Sequence, residues 1–317
     1  MRQPTYVRGV LSTVVPTMPI LRSLTLTLCF ATLALPMRAP AQAGGAPEVL
    51  LRLDDVGMNH SVNTAIERVA KSGLPFSVSV MFACPWYQEA AEMLKKYPHV
   101  TVGVHLVLNS EWRNYRWGPV LGKTGVPSLV DSVGYLLPST REFLASKYDL
   151  GEVERELDAQ MQRAVGSGLK IAYVDYHMGT AVSTPQLRAV VERIAQKYRV
   201  GISRYYGEVS HTLFDTPIES KKTDLITRLG SADRTRTNLW VLHVAERTPE
   251  MEVLYDRNNA AQNSGAGQPL VALHRQGELD AVLSPELASL VKSNKVKLVT
   301  YEQVIARAGG QVMRPVP

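Results

Sequence analysis

The sequence predicts an α/β fold, an irregular (β/α) barrel of about seven parallel strands, with an open doubly wound sheet as the alternative. Three observations carry this expectation. Short apolar runs of strand length alternate along the chain with stretches whose apolar residues recur at helical spacing. Repeated βα units on one sheet require right-handed crossovers, and about seven strands in roughly 260 residues suit a barrel. No glycine-rich phosphate loop follows the first run, where DDVGMNHS is neither a dinucleotide fingerprint nor a P-loop.

The first apolar run, Val49, Leu50, Leu51 and Leu53, is expected to stop at Asp54, Asp55 and Gly57. Consecutive side chains on a regular strand point to opposite faces, so both carboxylates share a pocket only if the strand ends there. The carboxyl ends of parallel strands are where such folds carry their chemistry. Val62, Ile66 and Val69 then recur at helical spacing until Gly73 ends the turn. Further strands are expected at 75–82, 100–108, 171–177, 200–204, 238–243 and 296–300. Helices are expected at 85–97, as one or two pieces within 139–165, at 185–198 after the cap residue Thr184, at 285–293 after Ser284, and at 301–308. Two long stretches, 109–138 and 205–237, read as irregular.

Composition is that of an ordinary globular chain of 317 residues, 45% hydrophobic and 20% charged. Residues 1–43 hold Arg2, Arg8, Arg22 and Arg38 and no acid, so without them 31 basic residues face 29 acidic ones and the net charge of +6 falls to +2. That balance asks for neither nucleic acid nor a membrane surface as partner. Arg22 precedes the apolar run SLTLTLCFATLAL (23–35), and Ala41-Gln42-Ala43 is a small-residue cleavage site before Gly44. The run is shorter than the roughly 20 residues a membrane span needs. The reading is therefore a cleaved signal peptide over 1–43, with Met18 as an alternative start. Residues 44–317 would form one exported domain, periplasmic or extracellular, with no stable membrane association. Leu28 before Cys29 lacks the small residue of a lipidation site, and Cys84 is then the one cysteine left, which excludes an intrachain disulfide and a cysteine-based metal site.

Of seven histidines, His105, His177 and His243 fall at or near the ends of separate expected strands, as does Asp55. Two imidazoles and one carboxylate leave open positions on a divalent ion, the pattern of a catalytic site rather than a closed structural one. The acidic doublet can supply one ligand and one general base. Asp175, two residues before His177 on the same strand face, either orients a ligand from behind or pairs with an arginine.

These residues lie in segments that resemble the YdjC-like carbohydrate deacetylases, the ChbG/HpnK group. The matching segments are LRLDDVGMNHSVNTAI (51–66), SVSVMFACPW (77–86), VGVHLVLNSEW (102–112) with YRWGP (115–119), and YVDYHMGT (173–180); HRQGELDAVLSPEL (274–287) and VKLVTYEQV (296–304) match more weakly. The resemblance implies an irregular (β/α) barrel and removal of acetyl groups from an N-acetylated sugar, with a small carbohydrate as partner. It also implies one divalent metal held by Asp55, His105 and His177, with Asp54 as general base and His243 acting near the leaving group. Magnesium is the ion the resemblance implies, whereas two imidazoles with a carboxylate suit zinc. The chain departs from the family at Val244, where a proline is usual, and at Met178-Gly179-Thr180, where many members carry further histidines.

In the chemistry expected, Asp54 takes a proton from the attacking water and a protonated His243 gives one to the departing amine. Trp112, Tyr115, Arg116 and Trp117 are the expected sugar contacts, since aromatic faces beside polar groups suit sugar rings; the alternative is that Trp112 and Trp117 pin the loop. Tyr205, Tyr206 and His211 are expected to pack locally. Two other functions compete: a metal-dependent hydrolase of a non-sugar amide or ester, and a carbohydrate-binding barrel without catalysis.

Overall fold

Val49, Leu51 and Leu53 alternate along the first strand with Leu50, Arg52 and Asp54, and all six are buried, so this strand has an interior on each face. It is the axis of the molecule. The computed structural model describes residues 45–263 and 269–310, and the expected leader lies outside the described residues. In chain order the elements are β1 (Glu48–Val56), α1 (His60–Lys71), β2 (Ser77–Val80), α2 (Tyr87–Leu94), β3 (Thr101–Leu106), α3 (Gly122–Gly125), α4 (Thr140–Ala145), α5 (Leu150–Gly166), β4 (Ile171–Tyr176), α6 (Pro185–Tyr198), β5 (Gly201–Ile202), β6 (Val209–Thr212), α7 (Lys221–Gly230), β7 (Asn238–Leu242), α8 (Pro249–Glu252), α9 (Val271–Val282), α10 (Pro285–Lys292), β8 (Lys297–Val299) and α11 (Tyr301–Arg307).

The paired strands are all parallel and run in the order β5-β4-β3-β2-β1-β7-β6, with β8 added against the first residues of β1. A barrel wall numbered in sequence and opened between β5 and β6 gives this order, whereas a doubly wound sheet reverses direction partway. The open sheet is therefore set aside in favour of the irregular barrel.

The expected sixth and seventh strands are β7 and β8, and the stretch read as irregular contains β6 and α7. Neither carries the pattern that sequence reasoning needs. β6 has only four residues, none of them fully buried. α7 (KKTDLITRLG) buries Leu225 and Leu229 but also the lysine at its first position. The first strand also differs from expectation: it runs on through Asp54 and Asp55 to Val56.

The outer face of the sheet packs against the helices in one large apolar cluster, to which α1 contributes Val62, Ile66 and Val69 and α6 contributes Leu187, Val190 and Val191. The inner face builds a second, smaller cluster from Leu50, Tyr173, Leu239, Val241, Val299, Tyr301 and Val304. The Tyr173 and Tyr301 rings, with centroids 4.2 Å apart, plug this interior at its base. Gly103 makes room for the plug, since a Cβ there would lie 2.4 Å from the Tyr173 ring. Ser79 meets the plug at the level of Gly103, and one step further along the strands the lining turns to His105 and Asp175, where the site is built.

Candidate active site

The acidic doublet shares a pocket because of a bulge, not a strand end. Leu53 pairs with Val78 but Val56 pairs with Val80, so Asp54 and Asp55 together face one residue of β2. Asp55 absorbs the extra residue with φ at +63°, a left-handed conformation that aspartate tolerates better than most side chains. Gly57 follows at φ +85°, where a Cβ would meet the backbone of Tyr87 at 2.9 Å. β1 thus turns both carboxylates toward the barrel mouth and leaves at once for α1.

Asp55, His105 and His177 come together as expected. Asp55 Oδ1 lies 3.4 Å from His105 Nε2 and 3.4 Å from His177 Nδ1, and the two ring nitrogens are 3.3 Å apart. The centre of a triangle of that edge is roughly 1.9 Å from each corner, within a few tenths of an ångström of the bond lengths of about 2.0–2.2 Å that a small divalent ion makes. Asp55 Oδ1 is buried and has no hydrogen-bond donor, so the atom facing both imidazoles lacks a partner that a cation would supply. The donor set therefore fits a metal ion.

Each member of the triad is held from behind. His105 Nδ1 donates to Asp175 Oδ1 at 2.8 Å, and His177 Nε2 donates to Glu111 Oε2 at 2.9 Å, so each ring turns its other nitrogen to the triangle. Arg275 Nη2 donates to Asp55 Oδ2 at 2.6 Å. Asp175 fills both roles considered for it, because its Oδ2 also lies 3.1 Å from Arg52 Nε. Glu111 and Arg275 escaped sequence reasoning as functional residues. Both sit inside quoted motifs, but their partners are 66 and 220 residues away.

Charge balance follows from these contacts. Burial works to raise the Asp55 carboxyl, and the Arg275 guanidinium with the two imidazoles outweighs it and holds the group well below the usual carboxylate range. Burial works to lower His105, and the Asp175 and Asp54 carboxylates outweigh it and push the ring well up. His177 is carried to about 9 against burial by Glu111 and Asp55.

Asp54 is committed differently. Its Oδ1 and Oδ2 accept from Arg52 Nε at 2.7 Å and Nη2 at 2.6 Å, a bidentate pair inside the barrel. Arg52 Nη1 also donates to Ser203 at 2.6 Å. His243 follows β7 and lines the same cavity, with Nδ1 buried and unpartnered. Burial lowers its pKa and the Arg275 charge adds to this, so the resting imidazole is neutral at neutral pH. An acid role for His243 therefore requires the ring to take up a proton first.

A cavity of about 540 Å³ opens above the triad, reaching from β1 and β7 to the unpaired edges β5 and β6. Of the four expected sugar contacts only Trp112 lines it, with its ring 5.4 Å from the Arg275 guanidinium carbon. Trp117 packs edge-on at 6.0 Å from His177 and donates Nε1 to Asn109 O at 2.8 Å, pinning the loop. Arg116 is spent on Asp131 and the Leu136 carbonyl, both at 2.6 Å, and Tyr115 donates its hydroxyl to the Met58 carbonyl. Tyr115, Arg116 and Trp117 therefore build the loop rather than the cavity wall. His211 does line the cavity, stacked on Trp240 with ring centroids 5.0 Å apart.

The sequence profile of the YdjC-like protein family matches residues 48–293, which spans every residue of this site. The chain belongs to the YdjC-like family. Among curated relatives, a carbohydrate deacetylase of Brevibacillus brevis is 26% identical over 264 residues, covering 81% of this chain and 99% of the relative. A carbohydrate deacetylase of Thermus thermophilus is 39% identical over 157 residues, covering 50% of this chain and 53% of the relative. A solved Enterococcus faecalis structure, provisionally described as a cellobiose-phosphate cleavage protein, superposes with a TM-score of 0.62 at 20% identity over 82% of this YdjC-like chain and 99% of its own. It shows the shared fold. Among the described residues no helix is long and apolar enough to cross a membrane.

Proposed function

We propose that this YdjC-like protein is a metal-dependent hydrolase that removes the acetyl group from N-acetylated sugars or oligosaccharides. The observation that carries the reading is the convergence of Asp55 Oδ1, His105 Nε2 and His177 Nδ1 at 3.3–3.4 Å from one another on the wall of a sugar-sized cavity. The carbohydrate deacetylases among its relatives support the substrate class. A bound divalent ion would polarise the acetyl carbonyl and lower the pKa of a water beside it. Asp55, His105 and His177 hold that ion, with Asp175, Glu111 and Arg275 fixing their orientation. Asp54 keeps a second lone pair on each oxygen after pairing with Arg52 and accepts the proton of the attacking water. His243, neutral at rest, takes up a proton and passes it to the departing amine as the C–N bond breaks. Trp112 forms part of the wall beside the sugar ring.

Two imidazole donors favour zinc over magnesium, which prefers oxygen ligands. We also propose that residues 1–43 are a cleaved leader and that 44–317 act outside the cytoplasm, on the strength of the basic-apolar-small pattern; N-terminal sequencing of the protein from its host should begin near Gly44. The decisive experiment measures acetate release from chitooligosaccharides after chelation and after readdition of single metals, with elemental analysis of the protein as purified. Metal-restored release from N-acetylated sugars is the expected result. Release confined to unrelated acyl compounds, or sugar binding without release, would overturn the reading.

A further inference from the structure

Three arginines line the cavity, and two are committed: Arg52 to Asp54 and Asp175, Arg275 to Asp55. The guanidinium of the third, Arg204, makes no ion pair or hydrogen bond to any described residue, and the residue is exposed on the cavity wall just beyond β5. Its backbone is unusual as well. Among the described residues, five non-glycine positions have positive φ, namely Asp55, Met178, Arg199, Arg204 and Asn294. Arg199 caps the end of α6 and Asn294 follows the end of α10, where such a conformation is common. The other three all line the cavity. Arg204, at φ +68°, is held there by Glu208, whose Oε1 accepts from the Arg204 N–H at 3.0 Å and whose Oε2 accepts from the Tyr206 N–H at 2.8 Å. One residue earlier, Ser203 is anchored inside the barrel by Arg52. A fixed, costly backbone thus aims an uncommitted cation at the cavity, the kind of local strain that persists at functional sites.

We propose that Arg204 binds a carboxylate carried by the sugar substrate, on the β4–β5 side of the cavity and apart from the metal triad; the proposal rests on the sugar-deacetylase reading above. The chemistry favours a carboxylate over a phosphate. Of the carboxylates that line the cavity, Asp54, Asp55 and Glu111 are paired with Arg52, Arg275 and His177, and Asp256 accepts from backbone N–H groups, so the Arg204 guanidinium brings one positive charge that none of them balances. A singly charged planar carboxylate matches the two-pronged guanidinium fork. A doubly charged phosphate would leave one charge that this single guanidinium does not oppose, with the Asp256 carboxylate in the same lining. The cavity volume of about 540 Å³ leaves room for an acetamido ring and part of a neighbouring acidic one.

The test compares wild type with Arg204→Asn, chosen because asparagine adopts the left-handed conformation readily. The substrates are an N-acetylated disaccharide whose second ring carries a carboxylate, its neutral counterpart and its phosphorylated counterpart. Wild type should show kcat/KM about ten-fold higher for the acidic than for the neutral disaccharide, and the ratio should fall to about one in Arg204→Asn. Rising salt should erode the wild-type preference. Equal handling by wild type, a preference that survives in the variant, or a preference for the phosphorylated sugar would overturn the assignment. Calorimetric titration with the deacetylated acidic disaccharide reads the same contact without turnover. A wild type that releases no acetate yet binds this sugar about ten-fold more tightly than the variant refutes the deacetylase reading and upholds the Arg204 site. Acetate release without an Arg204-dependent preference does the reverse.

Discussion

Asp54 and Asp55 are adjacent in sequence and bound to different machinery. Asp55 turns Oδ1 toward the two imidazoles, while Asp54 is clamped by Arg52 in the barrel interior. Asp54→Asn should therefore do two things at once. The proposed metal ligands are untouched, so metal content should match wild type while turnover falls to background. The change also removes the charge paired with a buried guanidinium, leaving Arg52 with Asp175 at 3.1 Å, and this should cost about 3 kcal/mol of stability in a urea titration. Full activity in a folded Asp54→Asn protein would remove Asp54 from the proton-transfer role. Asp55→Asn should differ by losing metal as well.

The relevant element is the β3–β4 pair. Gly103 faces Tyr173 and His105 faces Asp175 in one register, so the close approach that seats the tyrosine plug also seats the imidazole on its carboxylate. Tyr173 has no freedom to yield. Its ring is fully buried, and its hydroxyl donates to the Val78 carbonyl at 2.8 Å and sits 3.0 Å from Ser79 Oγ. Gly103→Ala should thus push the strands apart, at about 1–3 kcal/mol in stability, and weaken metal binding although residue 103 touches no ligand. Denaturation midpoints and metal titration measure the two effects. Wild-type values for both would show that the β3–β4 approach does not set the site.

For the whole molecule, the proposed metal triad would couple folding to pH and to metal. In the metal-free protein His177 has its pKa raised to about 9, chiefly by Glu111 and Asp55 working against burial. A raised histidine stabilises the fold fully below its unfolded pKa of about 6.5, and that contribution disappears as pH climbs through the folded value. Metal binding needs neutral imidazoles and so displaces these protons. The stabilisation given by metal should therefore grow with pH over the same window. Thermal melts with zinc and with chelator at pH 6 and pH 9 check this, the gap in Tm being wider at pH 9. A gap that stays constant or narrows would mean that the metal binds elsewhere.

The βα rhythm, the acidic doublet and the strand-end positions of His105, His177 and His243 were legible in the sequence because they depend on local patterns: apolar runs, helix caps and period-two alternation. The same holds for Asp175, whose face followed from its distance to His177. What local pattern could not reach was any feature made by chain segments far apart. The bulge at Asp54 and Asp55 exists only in the register of β1 against β2. Glu111 behind His177 and Arg275 on Asp55 are contacts across loops and helices that no spacing announces. β6 carries no apolar run and is recognisable only beside β7. Sequence proximity made Trp112, Tyr115, Arg116 and Trp117 look like one binding face, and tertiary packing divided them, sending one to the cavity and three into the loop. The sequence by itself determined which chemical groups the site would contain, since side-chain chemistry and local periodicity are properties of the chain. Only the tertiary structure decided which of them meet, because burial and long-range pairing choose the partners that satisfy each charge.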